Sequence, residues 1–173
     1  MSIDRNTLRD SLRFWSSGVS IVSTVTPPDV DSHPYAGMTV SSFMSLSLEP
    51  PQILVSLAKQ SVTTEAVLHA GFFAVSVLAA EQGEIADRFA GRSGLASNVD
   101  RFNGVPYHTE FTGAPIIRDA LAWFDCQIAA VHDGSTHWIV IGEILATTHR
   151  DDAAPLIYYN RAYSTLTLER EQP

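Results

Sequence analysis

The chain has 173 residues, with 11 basic against 19 acidic side chains and a formal net charge of −8. Hydrophobic residues reach 45% and charged ones only 17%, which excludes intrinsic disorder and points to a self-associating apolar face. The acidic balance excludes a general binder of nucleic acid or anionic membrane, since both need a basic footprint.

The length suits a single domain over residues 1–173. Cys126 is the only cysteine, so neither an internal disulfide nor a cysteine zinc cage can form. It lies in the apolar run Trp123-Phe124-Asp125-Cys126 and reads as a small core residue. No stretch approaches the ~20 apolar residues of a membrane span. The alternating charge of the N-terminus is unlike a signal peptide. The expected setting is a soluble, reducing cytoplasm.

Leu8, Leu12 and Trp15 recur at helical spacing and predict an amphipathic helix over residues 4–16. On it Arg5, Arg9 and Arg13 form a stripe that reads as a solvated face. Gly18 stops the helix, and residues 19–26 follow as a β-branched strand. From Ala36 to Leu48 the pattern predicts one strand. Met38, Val40, Met44, Leu46 and Leu48 share a face, with Thr39, Ser41, Phe43, Ser45 and Ser47 opposite. Residues 53–58 form the next strand. A short helix follows Ser61 and ends at Gly71, and residues 72–78 make another strand. A helix over 81–90 stops at Gly91, and residues 91–118 show no steady period. Residues 122–131 and 138–147 bracket His132-Asp133-Gly134-Ser135 as a hairpin. The tail over 163–168 alternates weakly and could close the sheet. Strands outnumber helices and their connections are short, which predicts an antiparallel β-barrel with a few helices.

The common nucleotide and hydrolase devices are absent. There is no Gly-x-Gly, no Gly-Lys, no Gly-x-Ser-x-Gly and no His-Glu-x-x-His. One anion device remains, at Ala58-Lys59-Gln60-Ser61-Val62-Thr63-Thr64, where a strand hands over to a hydroxyl-rich helix start. Free N–H groups, hydroxyls and the chain's single lysine together suit a phosphate. The same residues equally make an ordinary N-cap beside a solvent lysine. The alternating hydroxyls after Gly37 could read the edge of a planar ring, with Gly37 admitting a ligand close to the backbone, or simply face water. His132 and His137 flank the hairpin turn and could face each other. Neither completes a metal site.

In order, Phe14-Trp15-Ser16-Ser17-Gly18-Val19, Gly37-Met38-Thr39-Val40-Ser41-Ser42-Phe43, Leu48-Glu49-Pro50-Pro51 and Gly71-Phe72-Phe73-Ala74-Val75-Ser76 are followed by Ala86-Asp87-Arg88-Phe89-Ala90. Then come Ala122-Trp123-Phe124-Asp125-Cys126, His137-Trp138-Ile139-Val140-Ile141-Gly142-Glu143 and Pro155-Leu156-Ile157-Tyr158-Tyr159. This series resembles the short-chain flavin reductases, the reductase components of two-component flavin monooxygenases. The resemblance implies a mainly β fold with a few helices, a split antiparallel β-barrel of the FMN-binding type. It implies a homodimer that binds FMN or FAD and uses NADH or NADPH as hydride donor. Met38, Thr39, Val40, Ser41 and Ser42 would line the isoalloxazine, and Ser56, Leu57 and Ala58 would reach the ring edge or ribityl chain. Lys59, Ser61 and Thr63 would take the phosphate, and Phe89 and Ala90 would pack near the flavin. Tyr159, Asn160 and Tyr163 would lie on the nicotinamide side with His137, the one catalytic candidate, in a modest orienting role. Two other readings stand beside flavin reduction: a flavin-tight oxidase resembling pyridoxamine-phosphate oxidases, and a flavin-binding protein without turnover. Against the oxidase is the lack of an Arg-rich pocket for a phosphorylated substrate near the flavin strands.

Overall fold

The computed structural model describes residues 3–94 and 100–166. Its elements in chain order are α1 (Arg5–Leu12), β1 (Ser17–Gly18), β2 (Ser20–Val25), β3 (Tyr35–Val40), β4 (Phe43–Leu48) and β5 (Pro51–Ala58). Next come α2 (Val62–Ala70), β6 (Phe72–Val77), α3 (Gly83–Phe89), β7 (Tyr107–Thr109) and β8 (Pro115–Ile117). The chain closes with β9 (Ala122–Gly134), β10 (His137–His149), β11 (Ile157–Tyr159) and β12 (Ala162–Ser164). The fold is mainly β, and every strand pair is antiparallel.

The main sheet has seven strands in the order β3-β2-β6-β9-β10-β5-β4. The single strand predicted from Ala36 to Leu48 is in fact two, broken at Ser41 and Ser42, and they occupy opposite edges of this sheet. The break shifts the side-chain parity. Phe43, expected beside Thr39 and Ser45, packs instead against the same core as Met38 and Val40. A two-residue link reaches about 10 Å, whereas six strand spacings of a flat sheet would span roughly 29 Å. The sheet must therefore curl until its edges approach.

Inside the curl lies the first core cluster, which includes Val22, Val40, Val55, Leu57, Phe73 and Val140. Gly142 is required here, because a Cβ on it would stand 2.6 Å from Cζ of Phe73. Cys126 is fully buried in this cluster, as expected, and burial first, then Asp125, pushes its thiol up to about 12. A second cluster joins the other face of β2 to α3, with Ile21, Phe89, Phe102 and Ile117. β2 and β6 are buried on both faces, which suits the near-continuous apolar run of β6. In β2 the buried Ser23 and Thr24 donate to the carbonyls of Pro115 and Phe72.

Other expectations shift at their ends. Helix α1 is capped by the Asp4 carboxylate, which accepts from the N–H groups of Asn6 and Thr7 at 3.1 and 3.0 Å. It is shorter than predicted and buries nothing, so Leu8, Leu12 and Trp15 are exposed. The stretch 91–118 carries the small β7–β8 hairpin, and buried Asp125 pins the loop between those strands by accepting the N–H of Thr112 at 2.8 Å. In the β9–β10 hairpin only Ser135 and Thr136 form the loop, with Ser135 at φ 70. His132 pairs with Ile139 and His137 with Gly134, so the two histidines do not face each other. The tail strand β12 joins β11 and β1 in a separate three-stranded sheet. The rest of that predicted strand, residues 167–168, lies outside the described residues.

Candidate functional site

Helix α2 starts at Ser61, whose φ −90 and ψ 133 suit an N-cap. Its hydroxyl makes no capping bond and donates instead toward Sδ of Met38, at 3.6 Å. The first-turn N–H groups are thus left to a partner from outside the helix. A cavity of about 270 Å³ opens on this end of α2. Ser61 and Thr63 form one wall, Tyr35 and Gly37 of β3 another, and Asp31, His33, Asp100 and Arg101 the rim. Thr63 is only 6% exposed, and among the described residues its hydroxyl has no hydrogen-bond partner.

Lys59 does not line this cavity. Its ammonium pairs with Asp133 at 2.9 Å and lies 4.2 Å above the Trp138 ring, while its N–H donates to the carbonyl of Thr136. The lysine locks the tip of the β9–β10 hairpin to the end of β5. Hydrogen bonds from Lys59 and from the N–H of Ser135 hold the Asp133 carboxyl below the ordinary value. The cation at the cavity is Arg101, whose Nη1 donates to the carbonyl of Phe89 at 2.8 Å.

A second cavity, about 120 Å³, lies at the other end of β3. Thr39, Val40 and Ser41 form its floor, and Ala90, Arg92, Tyr158 and Tyr163 surround it. Arg92 is its one charged side chain, with the guanidinium 5.5 Å from the Tyr158 ring centre. Tyr163 donates its hydroxyl to Asp87 at 3.0 Å, and burial, reinforced by that bond, pushes the phenol up to about 12.

The hydroxyls of the β3 edge are partly committed. Thr39 donates to the carbonyl of Ala86 at 2.6 Å and Ser42 to that of Ser56 at 2.7 Å. Toward a ligand these two offer lone pairs, whereas Ser41 is exposed in the second cavity. Met38, Val40 and Leu57 turn their side chains into the core, and Ser56 and Ala58 are half-buried beside them on β5. Gly37 lines the first cavity with its backbone. The space its missing Cβ leaves belongs to Phe89, whose ring atoms would lie 2.7 and 2.9 Å away. Phe89 itself is 1% exposed, and Ala90 alone of that pair lines a cavity.

Ten of the expected residues line neither cavity: Met38, Ser42, Ser56, Leu57, Ala58, Lys59 and Phe89 on or behind the strands, and Tyr159, Asn160 and His137 farther out. Tyr159 is exposed against Phe14, Asn160 sits in a turn with its N–H bonded to the carbonyl of Arg13 at 2.7 Å, and His137 is exposed. The strand register sets His137 beside Ala58, and its Nδ1 is 2.9 Å from the Thr136 hydroxyl. Sequence reasoning missed Arg92, Arg101, Asp31 and His33. Both arginines come from the stretch without periodicity, so their nearness to β3 had no local signal. Against the expected lack of an Arg-rich pocket near the flavin strands, the structure brings one arginine to each cavity, Arg101 and Arg92.

Two cavities served by one strand, without a glycine-rich phosphate loop, make up the candidate site on a curled antiparallel sheet. The family model for the flavin reductase like domain matches residues 12–167, and the chain belongs to that family. The reductase subunit HsaB of a flavin-dependent monooxygenase from Rhodococcus jostii is 32% identical over 99% of this chain and 83% of its own length. An FMN reductase (NADH) from Agrobacterium fabrum, SmoA, is 38% identical over 90% of this chain and 82% of its own. Among solved structures, the NADH:FAD oxidoreductase SgcE6 of Streptomyces globisporus superposes with a TM-score of 0.85 at 30% identity, covering 97% of this chain and 96% of its own.

Proposed function

We propose that this protein is an NAD(P)H:flavin oxidoreductase that takes up FMN or FAD and hands the reduced flavin to a separate flavin-dependent monooxygenase. The observation that carries the reading is the placing of two cavities at the two ends of β3. One has the donors of an anion site, and the other a strand floor walled by two tyrosines and one arginine. The relatives named as an NADH-dependent FMN reductase and as a monooxygenase reductase subunit support the same donor and the same destination.

The residues fit a flavin nucleotide because Ser61 leaves α2 uncapped beside buried Thr63. Ser61, Thr63, the leading N–H groups of α2 and Arg101 hold the phosphate. The Met38 to Ser42 segment presents main-chain groups and the Ser41 hydroxyl to the ring edge, and Ser56 to Ala58 back it. Lys59 fixes the hairpin that borders the site, and Phe89 supports β3 from behind Gly37. With both nucleotides bound, hydride passes from the nicotinamide C4 to the flavin N5. The chain supplies stacking geometry and water exclusion, and no side-chain acid or base is needed for that step. Ala90, Arg92, Tyr158 and Tyr163 receive the nicotinamide nucleotide, with Arg92 facing its phosphates. His137, Tyr159 and Asn160 border this region from the rim and orient rather than react.

The curled sheet with abutting edges supports a split antiparallel barrel, and the whole chain of 173 residues is read as one domain. A homodimer is supported by an apolar row on the outer sheet face, where Met44, Leu54, Ile141 and Ala130 stand in cross-strand register. Met44 is 54% exposed at one end of that row. A single buried cysteine suits a reducing cytoplasm.

The test is an anaerobic titration with NADH, then with NADPH, against excess FMN or FAD. Many turnovers of free flavin are expected. Flavin that stays bound through purification and reacts once per site would support the oxidase reading. Binding without nicotinamide oxidation would leave only a flavin-binding protein.

A further inference from the structure

We propose that the cavity at the head of α2 takes the adenosine-5′-phosphate half of FAD, so that FAD is preferred to FMN; this rests on the reading of the protein as a flavin reductase. The relatives do not decide the matter, since one is named for FMN and another for FAD.

The cavity is larger than a single phosphate needs. At about 270 Å³ it runs from Ser61 and Thr63 across to the loop before β3. The groups at that far side are wrong for a terminal phosphate and right for a nucleoside. Asp31 and Asp100 are carboxylates, which repel an anion and accept from ribose hydroxyls. Each commits Oδ1 to its own loop. Asp31 Oδ1 accepts the N–H of His33 at 3.1 Å and meets His33 Nδ1 at 2.8 Å, and Asp100 Oδ1 accepts the N–H of Phe102 at 2.8 Å. Among the described residues Oδ2 of each is left without a hydrogen-bond partner. These loop bonds also hold the Asp31 carboxyl below its usual value, so it is an acceptor at neutral pH.

Between the two sides stands Arg101. One nitrogen, Nη1, is anchored to the carbonyls of Phe89 and Gly37 at 2.8 and 3.4 Å, which leaves the remainder of the fork to a phosphate oxygen. Tyr35 offers its ring at the cavity wall and is held rigid by edge contacts to Phe102 and Tyr107, with centroids 5.7 and 5.2 Å away. A base can stack on such a fixed ring.

Charge favours the same choice. The terminal phosphate of FMN carries close to two charges at neutral pH, while each bridging phosphate of FAD carries one. The two carboxylates penalise the extra charge of FMN, and only FAD brings hydroxyls that use them.

The experiment measures binding of FAD, FMN and riboflavin to the full chain by fluorescence, with Asp31→Asn and Asp100→Asn beside the unaltered protein. FAD is expected to bind at least tenfold more tightly than FMN. Each variant should lower the FAD-to-FMN affinity ratio by roughly a factor of ten, the loss of one charged hydrogen bond. Equal affinity for both flavins in the unaltered protein, or variants that weaken both alike, would overturn the adenosine assignment while leaving the reductase reading intact. No binding of any flavin and no NADH consumption would instead remove the reading on which it rests.

Discussion

Replacing both hydroxyls at the head of α2, as Ser61→Ala with Thr63→Ala, tests the phosphate assignment directly. Ser61 is half-buried and Thr63 is 6% exposed. A hydrogen bond to a charged group contributes about 1.5–3 kcal/mol, and the open mouth of the cavity places both bonds at the lower end. Together they are worth about 3 kcal/mol, on the order of a hundredfold in Kd for FMN. The hydroxyl of Ser61 caps nothing, so the double variant should fold with little loss of stability and the change can be read as binding. Riboflavin has no phosphate and should be nearly indifferent. Lys59→Met provides the contrast: because Nζ is held by Asp133, it should loosen the hairpin while changing FMN affinity only a few-fold. Fluorescence titration of FMN and riboflavin against all three proteins gives the answer. Equal losses for the two flavins would refute the placement of the phosphate.

Gly37→Ala forces the Phe89 ring off β3 and should cost about 1–3 kcal/mol in urea unfolding, with partial recovery in Gly37→Ala with Phe89→Leu. The Tyr163 phenol, pushed from 10.0 to about 12, favours the folded state; that stabilisation is complete below pH 10 and disappears as pH climbs through 12. Tyr163→Phe should lack this alkaline loss in a pH series of thermal melts. Arg92→Ala should raise KM for NADH at least tenfold with flavin affinity unchanged, and His137→Ala should lower kcat/KM by on the order of tenfold; a His137 loss of several orders would make it a proton-transfer group. Sedimentation at micromolar concentration should give twice 18.9 kDa, and Leu54→Asp should shift it toward monomer.

Periodicity located most strands, because the burial of Ile53, Val55 and Leu57 alternates with half-buried neighbours along β5. It failed at Ser41 and Ser42, where the alternation of hydroxyls and hydrophobes slips by one residue, Ser-Ser and then Phe-Met, at the passage between sheet edges. The inward turn of Phe43 is the structural counterpart of that slip. The site was legible where one segment carries it, as at Ser61 and Thr63. It was illegible where Arg92 and Arg101 come from far along the chain, since nothing local ties a guanidinium to the strand it will border. Lys59 shows the converse. Its position beside a helix start suggested a phosphate ligand, yet Asp133, 74 residues away, claims its charge.

The two-residue passage from β3 to β4 makes the wall of the nucleotide site and the closure of the sheet the same piece of chain. Any nucleotide held against Thr39 and Ser41 must then be released before the seam between the sheet edges can part. Occupancy and seam opening are thermodynamically linked, and a ligand at a hundred times its Kd adds about 2.7 kcal/mol to the cost of opening. The amide protons of Met38, Thr39 and Val40 on one edge, and of Phe43 and Met44 on the other, should slow together in hydrogen exchange when flavin is added. The central β9–β10 hairpin, paired on both sides, should barely change.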